Sequence, residues 1–389
     1  MEQQEKKKRK VYRRRRLQSK PTSSFPLDLA SEILLRLPVK SVVRFRCVSK
    51  LWSSIITDPY FIKTYETQSS TRQSLLFCFK QSDKLFVFSI PQHHYDSNSS
   101  SQAAIDRFQV KLPQEFSYPS PTESVHGLIC FHVLATVIVW NPSMRQFLTL
   151  PKPRKSWKEL TVFLGYDPIE GKHKVVCLPR NRTCDECQVL TLGSAQKSWR
   201  TVKTKHKHRS TNDTWGRCFK GVVYYIAYVY HTRVWCIMSF HVKSEKFDMI
   251  KLPLENIYRD VMINYEGRLA CVDKLYTLNN DGIRLWILED AEKHKWSSKQ
   301  FLARYVHNDL RTNTISKLTG VTHAGEFVYI STQYLKSFVL FCDPKKNRFR
   351  KVEFNGIVDE EFRLSNGVGR GRIYALYNFP NHCESLMSL

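Results

Sequence analysis

The sequence predicts an α+β multidomain protein, in which a small all-α module precedes a much larger all-β domain. Over residues 24–66 the apolar residues recur at three- and four-residue intervals, which is the spacing of amphipathic helices. From Leu75 onward the pattern changes to short runs rich in β-branched and aromatic residues, bounded by glycine, proline, asparagine or aspartate. A chain of 389 residues has room for one small module and one large domain.

The helical module begins and ends its helices with recognisable signals. Pro26 suits the first turn of a helix, where a missing N–H costs nothing, and Pro38 ends that helix. A second short helix is expected over residues 40–45 and a third over residues 48–56. Asp58 and Pro59 then supply the N-cap and the first-turn proline of a fourth. One apolar face of the first helix is formed by Leu27, Ala30, Ile33, Leu34 and Leu37.

About forty residues cannot bury this many large side chains without help, so an outside partner is expected. The stretch FPLDLASEILLRLPVKSVVRFRCVSKLWSSIITDPYF closely resembles the F-box. That resemblance implies docking on the Skp-type adaptor of a Skp-cullin-F-box ubiquitin ligase and, through it, on the cullin and RING subunits. It assigns the adaptor-facing or face-supporting positions to Pro26, Leu27, Ile33, Leu34, Leu37, Pro38, Val42, Val48 and Trp52.

The first twenty residues carry ten Lys/Arg against two acidic residues, so they account for +8 of the formal net charge of +26. Residues 1–22 are therefore expected to be a disordered basic tail. The run Lys6, Lys7, Lys8, Arg9 and Lys10 resembles a nuclear import signal, with a solvated tail as the plainer interpretation. We expect a nuclear location, with the cytoplasm as a second compartment. No secretory signal or membrane span is predicted, and the eleven scattered cysteines indicate a reducing compartment.

A repeat runs through the β-type segments and consists of an apolar strand, a short turn and an aromatic residue. The aromatics stand 52, 48, 49 and 53 residues apart, close to the ~50-residue period of kelch-like blades; they are Phe147, Trp199, Phe247, Trp296 and Phe349. Glycine often opens the preceding strand, as at Gly221 and Gly267. Units of this kind must stack to bury both faces, which predicts a β-propeller of about six blades. The strand over residues 372–377 is expected to complete the first blade.

The segments GLICF, IVWNP, GYDPIEGKHKVV and GVVYY resemble the F-box-associated domain that follows plant F-boxes. The expected organisation is thus a basic tail (1–22), an F-box (24–66), a linker (67–74), a propeller-like domain (75–380) and a C-terminal tail (381–389). This resemblance implies a receptor that binds a protein substrate and contributes proximity rather than reacting groups. No catalytic, P-loop, HExxH or dinucleotide motif is present, and no enzyme activity or cofactor is predicted.

Three features of the β domain invite a chemical interpretation. Trp199 and Trp296 suggest ligand stacking, but core packing is favoured because the same position is aromatic in every unit. Cys184 and Cys187, with His206 and His208, have a weak zinc-like spacing; a surface loop is favoured and no metal is predicted.

The third feature is a basic loop between Gln188 and Asn212, a stretch without an acidic residue. Its candidate substrate contacts are Lys203, Lys205, Lys207 and Arg209, which pair with carboxylate or phosphate. A solvated loop is the plain alternative. Two other functions also stay open at this point: a basic propeller that binds nucleic acid, which is less favoured, and an F-box protein that acts outside ubiquitination.

Overall fold

The computed structural model describes residues 26–92, 106–113, 120–194, 198–210, 216–254, 262–273, 282–302, 316–331, 338–353, 360–367 and 377–389. Contacts divide the chain into two compact units, with the boundary between Thr64 and Tyr65. The predicted basic tail, including Lys6–Lys10, lies outside the described residues. Within the ranges described, no helix is both long enough and apolar enough to cross a bilayer.

Four helices open the described part of the chain: α1 (Leu27–Arg36), α2 (Val39–Phe45), α3 (Lys50–Thr57) and α4 (Pro59–Ser69). The Oγ of Ser49 accepts a hydrogen bond from the backbone N–H of Trp52 and so caps α3. The carboxylate of Asp58 accepts hydrogen bonds from the backbone N–H groups of Tyr60 and Phe61 at 2.9 and 3.0 Å. The predicted N-cap and first-turn proline of the fourth helix are therefore confirmed.

The strands that follow form antiparallel sheets. Four of these sheets have four strands each. The first has the order β24 (Tyr377–His382), β1 (Ser74–Gln81), β2 (Lys84–Pro91), β3 (Asp106–Lys111). The second has the order β4 (Ser120–Pro121), β5 (Ile129–Val133), β6 (Thr136–Asn141), β7 (Gln146–Thr149). The other two are β16 (Met262–Tyr265), β17 (Arg268–Asp273), β18 (Gly282–Asp290), β19 (Lys295–Leu302), and β20 (Ser316–Val321), β21 (Phe327–Ser331), β22 (Phe338–Asp343), β23 (Arg348–Glu353).

A fifth, eight-stranded sheet lies between them in sequence. It contains β8 (Leu160–Asp167), β9 (Lys172–Pro179), β10 (Cys184–Thr191), β11 (Arg200–Ser210), β12 (Arg217–Phe219), β13 (Val222–Val229), β14 (Val234–His241) and β15 (Phe247–Lys251). The long strand β11 joins its two halves, because it pairs with β10 near its start and with β13 through residues 208–210. Strand pairing thus gives four separate four-stranded blades among the described residues, and not the six that the repeat predicted.

The sheets are arranged as a β-propeller, as the sequence predicted. The strands β8, β12, β16, β20 and β24 contact one another in that order, so the first strands of successive units line a common interior. The ring is closed by β24, which pairs with β1 through Cys78 opposite Tyr377 and Leu76 opposite Phe379. The closing strand was expected over residues 372–377; in the described residues it runs over Tyr377–His382. A short helix, α5 (Glu360–Ser365), places Phe362 against Phe86 and Phe88.

The glycines that open the second strands serve the turns before them. Lys220 and Gly221 form the two-residue connection between β12 and β13, with φ values of 50° and 76°. Glu266 and Gly267 connect β16 and β17 with φ values of 51° and 73°. Positive φ at both central residues is the type I′ geometry whose twist suits a tight hairpin, and glycine adopts it without strain.

The C-terminal residues after β24 are held by the propeller and by the end of α4. The side-chain amide of Asn141 donates hydrogen bonds to the backbone oxygens of Ser385 and Met387 at 3.2 and 2.8 Å. From α4, Tyr65 donates to the carboxylate of Glu384 at 3.0 Å, and Glu66 accepts from the Ser385 hydroxyl at 2.8 Å. The segment expected as a C-terminal tail is therefore held by hydrogen bonds with Asn141 and with the end of α4.

Candidate functional site

The helical unit carries a set of large apolar side chains that face solvent. Their exposed fractions range from 42 to 80%, and they are Leu27, Leu29, Ile33, Val48, Leu51 and Tyr60. We call this set the apolar face. Exposed apolar side chains gathered on one small unit are typical of a surface that binds a partner.

A buried layer supports this face. Leu34 and Val42 are fully buried, with Ala30, Leu35 and Val39 beside them in the same burial class. The rings of Phe45 and Trp52 lie 4.8 Å apart and join the end of α2 to α3. Because the inner side chains are already packed, the outer ones are presented on a formed surface.

The nine positions carried over from the F-box motif divide by exposure. Pro26, Leu27, Ile33, Pro38 and Val48 are exposed, Leu37 and Trp52 are half-buried, and Leu34 and Val42 are buried. The single apolar stripe expected on α1 is thus split between an outer and an inner side. The exposed positions could contact an adaptor directly, and the buried ones could support the face from inside. The adaptor-binding role of all nine positions stays a prediction.

The motif missed three members of the apolar face: Leu29, Leu51 and Tyr60. Leu29 stands four residues before Ile33, but it was not counted in the stripe of α1. A helix with apolar residues on two sides is a signal that could have identified it, because only one side packs on the module itself.

The second candidate surface belongs to the propeller and was expected as a loop. Residues 200–210 form the strand β11, so the loop assignment is wrong. Along this strand, exposure alternates: residues 204, 206, 208 and 210 turn inward. The four predicted substrate contacts, Lys203, Lys205, Lys207 and Arg209, are all exposed on the other side. We call these four the basic row. Lys197, also counted in the loop, lies outside the described residues.

Strand β11 bulges where the basic row lies. Lys203 is opposite Glu186 and His208 is opposite Cys184, so residues 204–207 have no partner on β10. Bulges bend a strand and re-aim its side chains. At the other end of the row, the guanidinium of Arg209 lies 5.3 Å from the centre of the Tyr228 ring, which in turn packs edge-on against Trp235.

The Cys/His group nearby has the arrangement of a packed strand pair. The ring of His208 is buried, with its nitrogens 2.7 Å from the Tyr225 hydroxyl and from the His206 carbonyl oxygen. Burial lowers the pKa of His208, and burial raises the pKa of Cys187 to about 12. Among the residues that the structure describes, no three His, Cys, Asp or Glu side chains are grouped as metal ligands.

The repeated aromatics pack at the outer margins of the sheets. Trp199 and Trp296 are half-buried, and each indole N–H donates to a backbone oxygen about one repeat earlier, at Pro151 (2.7 Å) and Lys251 (2.9 Å). Phe147 and Phe247 pack on neighbouring apolar clusters, whereas Phe349 is about half exposed. The two tryptophans thus connect successive units of the propeller.

Carboxylates shielded from solvent often have chemical roles, and one partly buried carboxylate of the propeller belongs to an ion pair. Glu123 and Arg217 are 3.1 Å apart, and the guanidinium also donates to the backbone oxygen of Met262 at 2.7 Å. Glu123 accepts a second hydrogen bond from the backbone N–H of Cys218. Burial raises the pKa of Glu123, while the charge of Arg217 opposes that rise. This group joins the β4–β5 connection to strands β12 and β16 of two sheets and has the geometry of a structural contact.

The helical part and the propeller each match a known protein family. Residues 22–64 match the F-box domain, and residues 74–383 match the F-box associated beta propeller domain. The second match covers most of the chain. The protein therefore belongs to the family of F-box proteins with an F-box associated β-propeller.

Its relatives are proteins of the plant Arabidopsis thaliana. Two putative F-box proteins are 56% and 54% identical to it, each over the full length of both chains. A further F-box protein of that plant is 41% identical over 94% of this chain and 93% of its own. A solved structure of TolB from Acinetobacter baumannii has a TM-score of 0.43 at 8% identity, over 75% of this chain and 68% of that one, which adds nothing to the assignment.

Proposed function

We propose that this protein is the substrate-recognition subunit of a Skp-cullin-F-box ubiquitin ligase. The observation that carries the proposal is the apolar face, since large side chains such as Val48, 61% exposed, gather on a unit that matches the F-box domain. A Skp-type adaptor covers this face and brings the cullin and RING subunits. The propeller holds a protein target.

In this role the protein contributes position rather than chemistry. Holding a target beside a separate ubiquitin-transfer enzyme raises the effective concentration of the reacting groups, which alone accelerates a reaction strongly. Proteins of the family that the chain matches are typically of the adaptor type. No reacting group of the propeller is therefore required by the mechanism.

Adaptor binding by purified full-length protein tests the proposal. In Val48→Asp the valine loses its burial at the interface and an unpaired carboxylate must be desolvated, so affinity should fall by about a hundredfold or more. The fold should persist, because Val48 faces solvent in the free protein. Isothermal titration with a purified Skp-type adaptor measures the first effect and thermal melting the second.

Ile169→Asp provides a matched control. Ile169 is an apolar side chain of the propeller with 68% exposure, so its replacement adds the same charge to an exposed apolar position of the other unit. Unchanged affinity of the folded Val48→Asp protein would contradict the proposal, as would an equal loss in both variants.

The ubiquitination step needs its own experiment. Affinity purification from cells treated with a proteasome inhibitor should enrich ubiquitinated partners with the wild-type protein and lose them with Val48→Asp. Enrichment that is independent of the inhibitor, with adaptor binding intact, would place the protein outside ubiquitination.

We also propose that Lys6–Lys10 direct the protein to the nucleus. The support is the cluster of five cationic side chains in the sequence. A fluorescent fusion that lacks residues 1–20 should shift to the cytoplasm. A fusion that stays equally nuclear without them would show the signal to lie elsewhere.

A further inference from the structure

The basic row combines regular spacing with outward aim. Alternate residues on a strand lie about 6.7 Å apart and point to the same side. Lys203, Lys205, Lys207 and Arg209 follow this alternation, and the bulge in β11 removes residues 204–207 from pairing with β10. The row therefore presents cations at roughly the repeat of alternate side chains in an extended peptide.

Most of these cations lack an intramolecular counter-charge. Lys203 is 3.9 Å from Glu186, and Arg200, just before the row, pairs with Glu245. For Lys205, Lys207 and Arg209, by contrast, no carboxylate among the described residues lies within ion-pair distance. Burial lowers the pKa of His206 between them, so that imidazole adds no charge near neutral pH. Three adjacent positive charges are left to be balanced by an outside anion.

An exposed hairpin tip borders the row. Tyr230, at 64% exposure, donates its backbone N–H to the backbone oxygen of Lys207 at 3.0 Å, which places this tip beside the lysines. Val234 on the same hairpin is also exposed. The basic row thus lies beside exposed apolar side chains, which could contact apolar residues between the anionic ones of a bound peptide.

We propose that the basic row and this hairpin tip bind an extended segment of the target protein that carries anionic side chains at alternate positions. The shared chemistry is a row of carboxylates or of phosphorylated side chains, both of which pair with lysine and arginine. This inference rests on the proposed function, because it assumes that the propeller receives a protein target.

The neighbouring aromatics favour a peptide over a nucleic acid. Binding of single-stranded nucleic acid depends on aromatic rings with free faces on which bases stack. Tyr228, at the row's end, is covered by Arg209 and packed against Trp235, which leaves Tyr230 on the hairpin tip as the exposed aromatic ring described beside the row. A single exposed ring is fewer than the succession of rings on which successive bases stack, whereas the charges repeat along the strand.

Fluorescence anisotropy with the purified full-length protein tests the inference without any adaptor. The probe is a fluorescein-labelled peptide of about twelve residues with glutamate at every second position, to match the strand repeat. A second peptide carries phosphoserine and a third carries glutamine at the same positions. A single-stranded oligouridine of similar charge is the nucleic-acid probe.

The variant Lys205→Glu/Lys207→Glu should weaken binding of the glutamate or phosphoserine peptide by about tenfold or more, because two attractions become repulsions. Lys205→Arg/Lys207→Arg should keep it. The control Lys345→Glu/Lys346→Glu changes net charge equally at exposed lysines of the β22–β23 turn and should have little effect. If the charge-reversed protein fails to fold, Lys205→Gln/Lys207→Gln replaces it.

Three results would overturn the inference: equal binding of the glutamine peptide, equal losses in the Lys205/Lys207 and Lys345/Lys346 variants, or tighter binding of oligouridine than of either anionic peptide. Preference between glutamate and phosphoserine identifies the source of the anion. If the wild-type protein binds neither anionic peptide while it still binds the adaptor, this site is refuted and the proposed function stays in place.

Discussion

The helical unit and the propeller differ in what they leave exposed. Six of the thirteen large apolar side chains that are exposed among the described residues lie between Leu27 and Tyr60, a small part of the chain. The propeller keeps its apolar residues between sheets and presents rows of charge such as Lys203, Lys205 and Lys207. The difference indicates that the first unit has apolar surface for a partner to cover, whereas the second buries most of its apolar residues itself. Selection of a target by charge is what we propose for the second unit.

The largest expected effect concerns the buried layer below the apolar face. The sequence alone led us to expect that an adaptor covers Leu34, but the chain itself buries this side chain completely. Leu34→Asp should therefore destabilise the helical unit by ~5 kcal/mol or more, since it loses apolar burial and places an unpaired carboxylate inside. Far-UV circular dichroism should show lost helix together with lost adaptor binding. Leu34→Met is the conservative control, and a fully helical Leu34→Asp protein would show that Leu34 belongs to the outer face after all.

Two tryptophans of the propeller, Trp140 and Trp296, differ in burial and should therefore differ in their contribution to stability. Trp140 is fully buried against Phe131 and Phe147, so Trp140→Ala should cost ~3 to 5 kcal/mol of unfolding free energy. Because the sequence favoured core packing for Trp296, Trp296→Ala was expected to cost as much; in the structure, however, Trp296 is half-buried. Trp296→Ala should cost less, ~1 to 2 kcal/mol, and Trp296→Phe should remove chiefly the hydrogen bond to Lys251, about 1 kcal/mol. Chemical denaturation measures all three, and equal costs for Trp140 and Trp296 would remove the distinction.

Acid should weaken the propeller through buried neutral histidines. Burial lowers the pKa of His173 to about 3 and that of His382 to about 4. In the unfolded chain these groups have pKa values near 6.5, so between pH 6.5 and about 4 the unfolded state binds more protons. Stability should therefore fall as pH falls through this window, by up to ~1.4 kcal/mol per pH unit for each group. Melting of His382→Asn between pH 7 and pH 5 should show a shallower decline; an unchanged slope would exclude His382 as a source.

Salt should give the smallest effect and the clearest contrast between the two surfaces. Raising NaCl from about 50 to 500 mM shortens the Debye length from about 14 to 4 Å, which screens exposed charges. Binding of the glutamate peptide should weaken by about tenfold, while adaptor binding should change by less than about threefold. Titrations at both salt concentrations provide the measurement. A strongly salt-dependent adaptor complex would show that charge, and not the apolar face, dominates that interface.

The sequence predicted local structure well where the residue type itself fixes the backbone. Asp58 and Pro59 define the start of α4, and Gly221 and Gly267 define tight turns, because few residues cap a helix or adopt positive φ as readily. The strand β11 was missed because its residues 203–209 are all polar, and a strand without an apolar side resembles a loop in sequence. Whether Ile33 or Leu34 faces inward was also undetermined, because both satisfy the helical spacing and only the packing of α1 on its neighbours separates them.

Because β1 and β24 close the ring from opposite ends of the propeller sequence, the ring can close only after the last strand has been synthesised. Ser74 of β1 pairs with His382 of β24, although the two residues are 308 positions apart in the sequence. At a synthesis rate of roughly 5 to 20 residues per second, β1 waits roughly 15 to 60 s on the ribosome before its partner strand exists. During that interval one edge of the first sheet, which includes Leu76 and Cys78, remains open to pairing with other chains. The helical unit is synthesised before that edge appears, so its face is available to an adaptor while the propeller is still an open sheet.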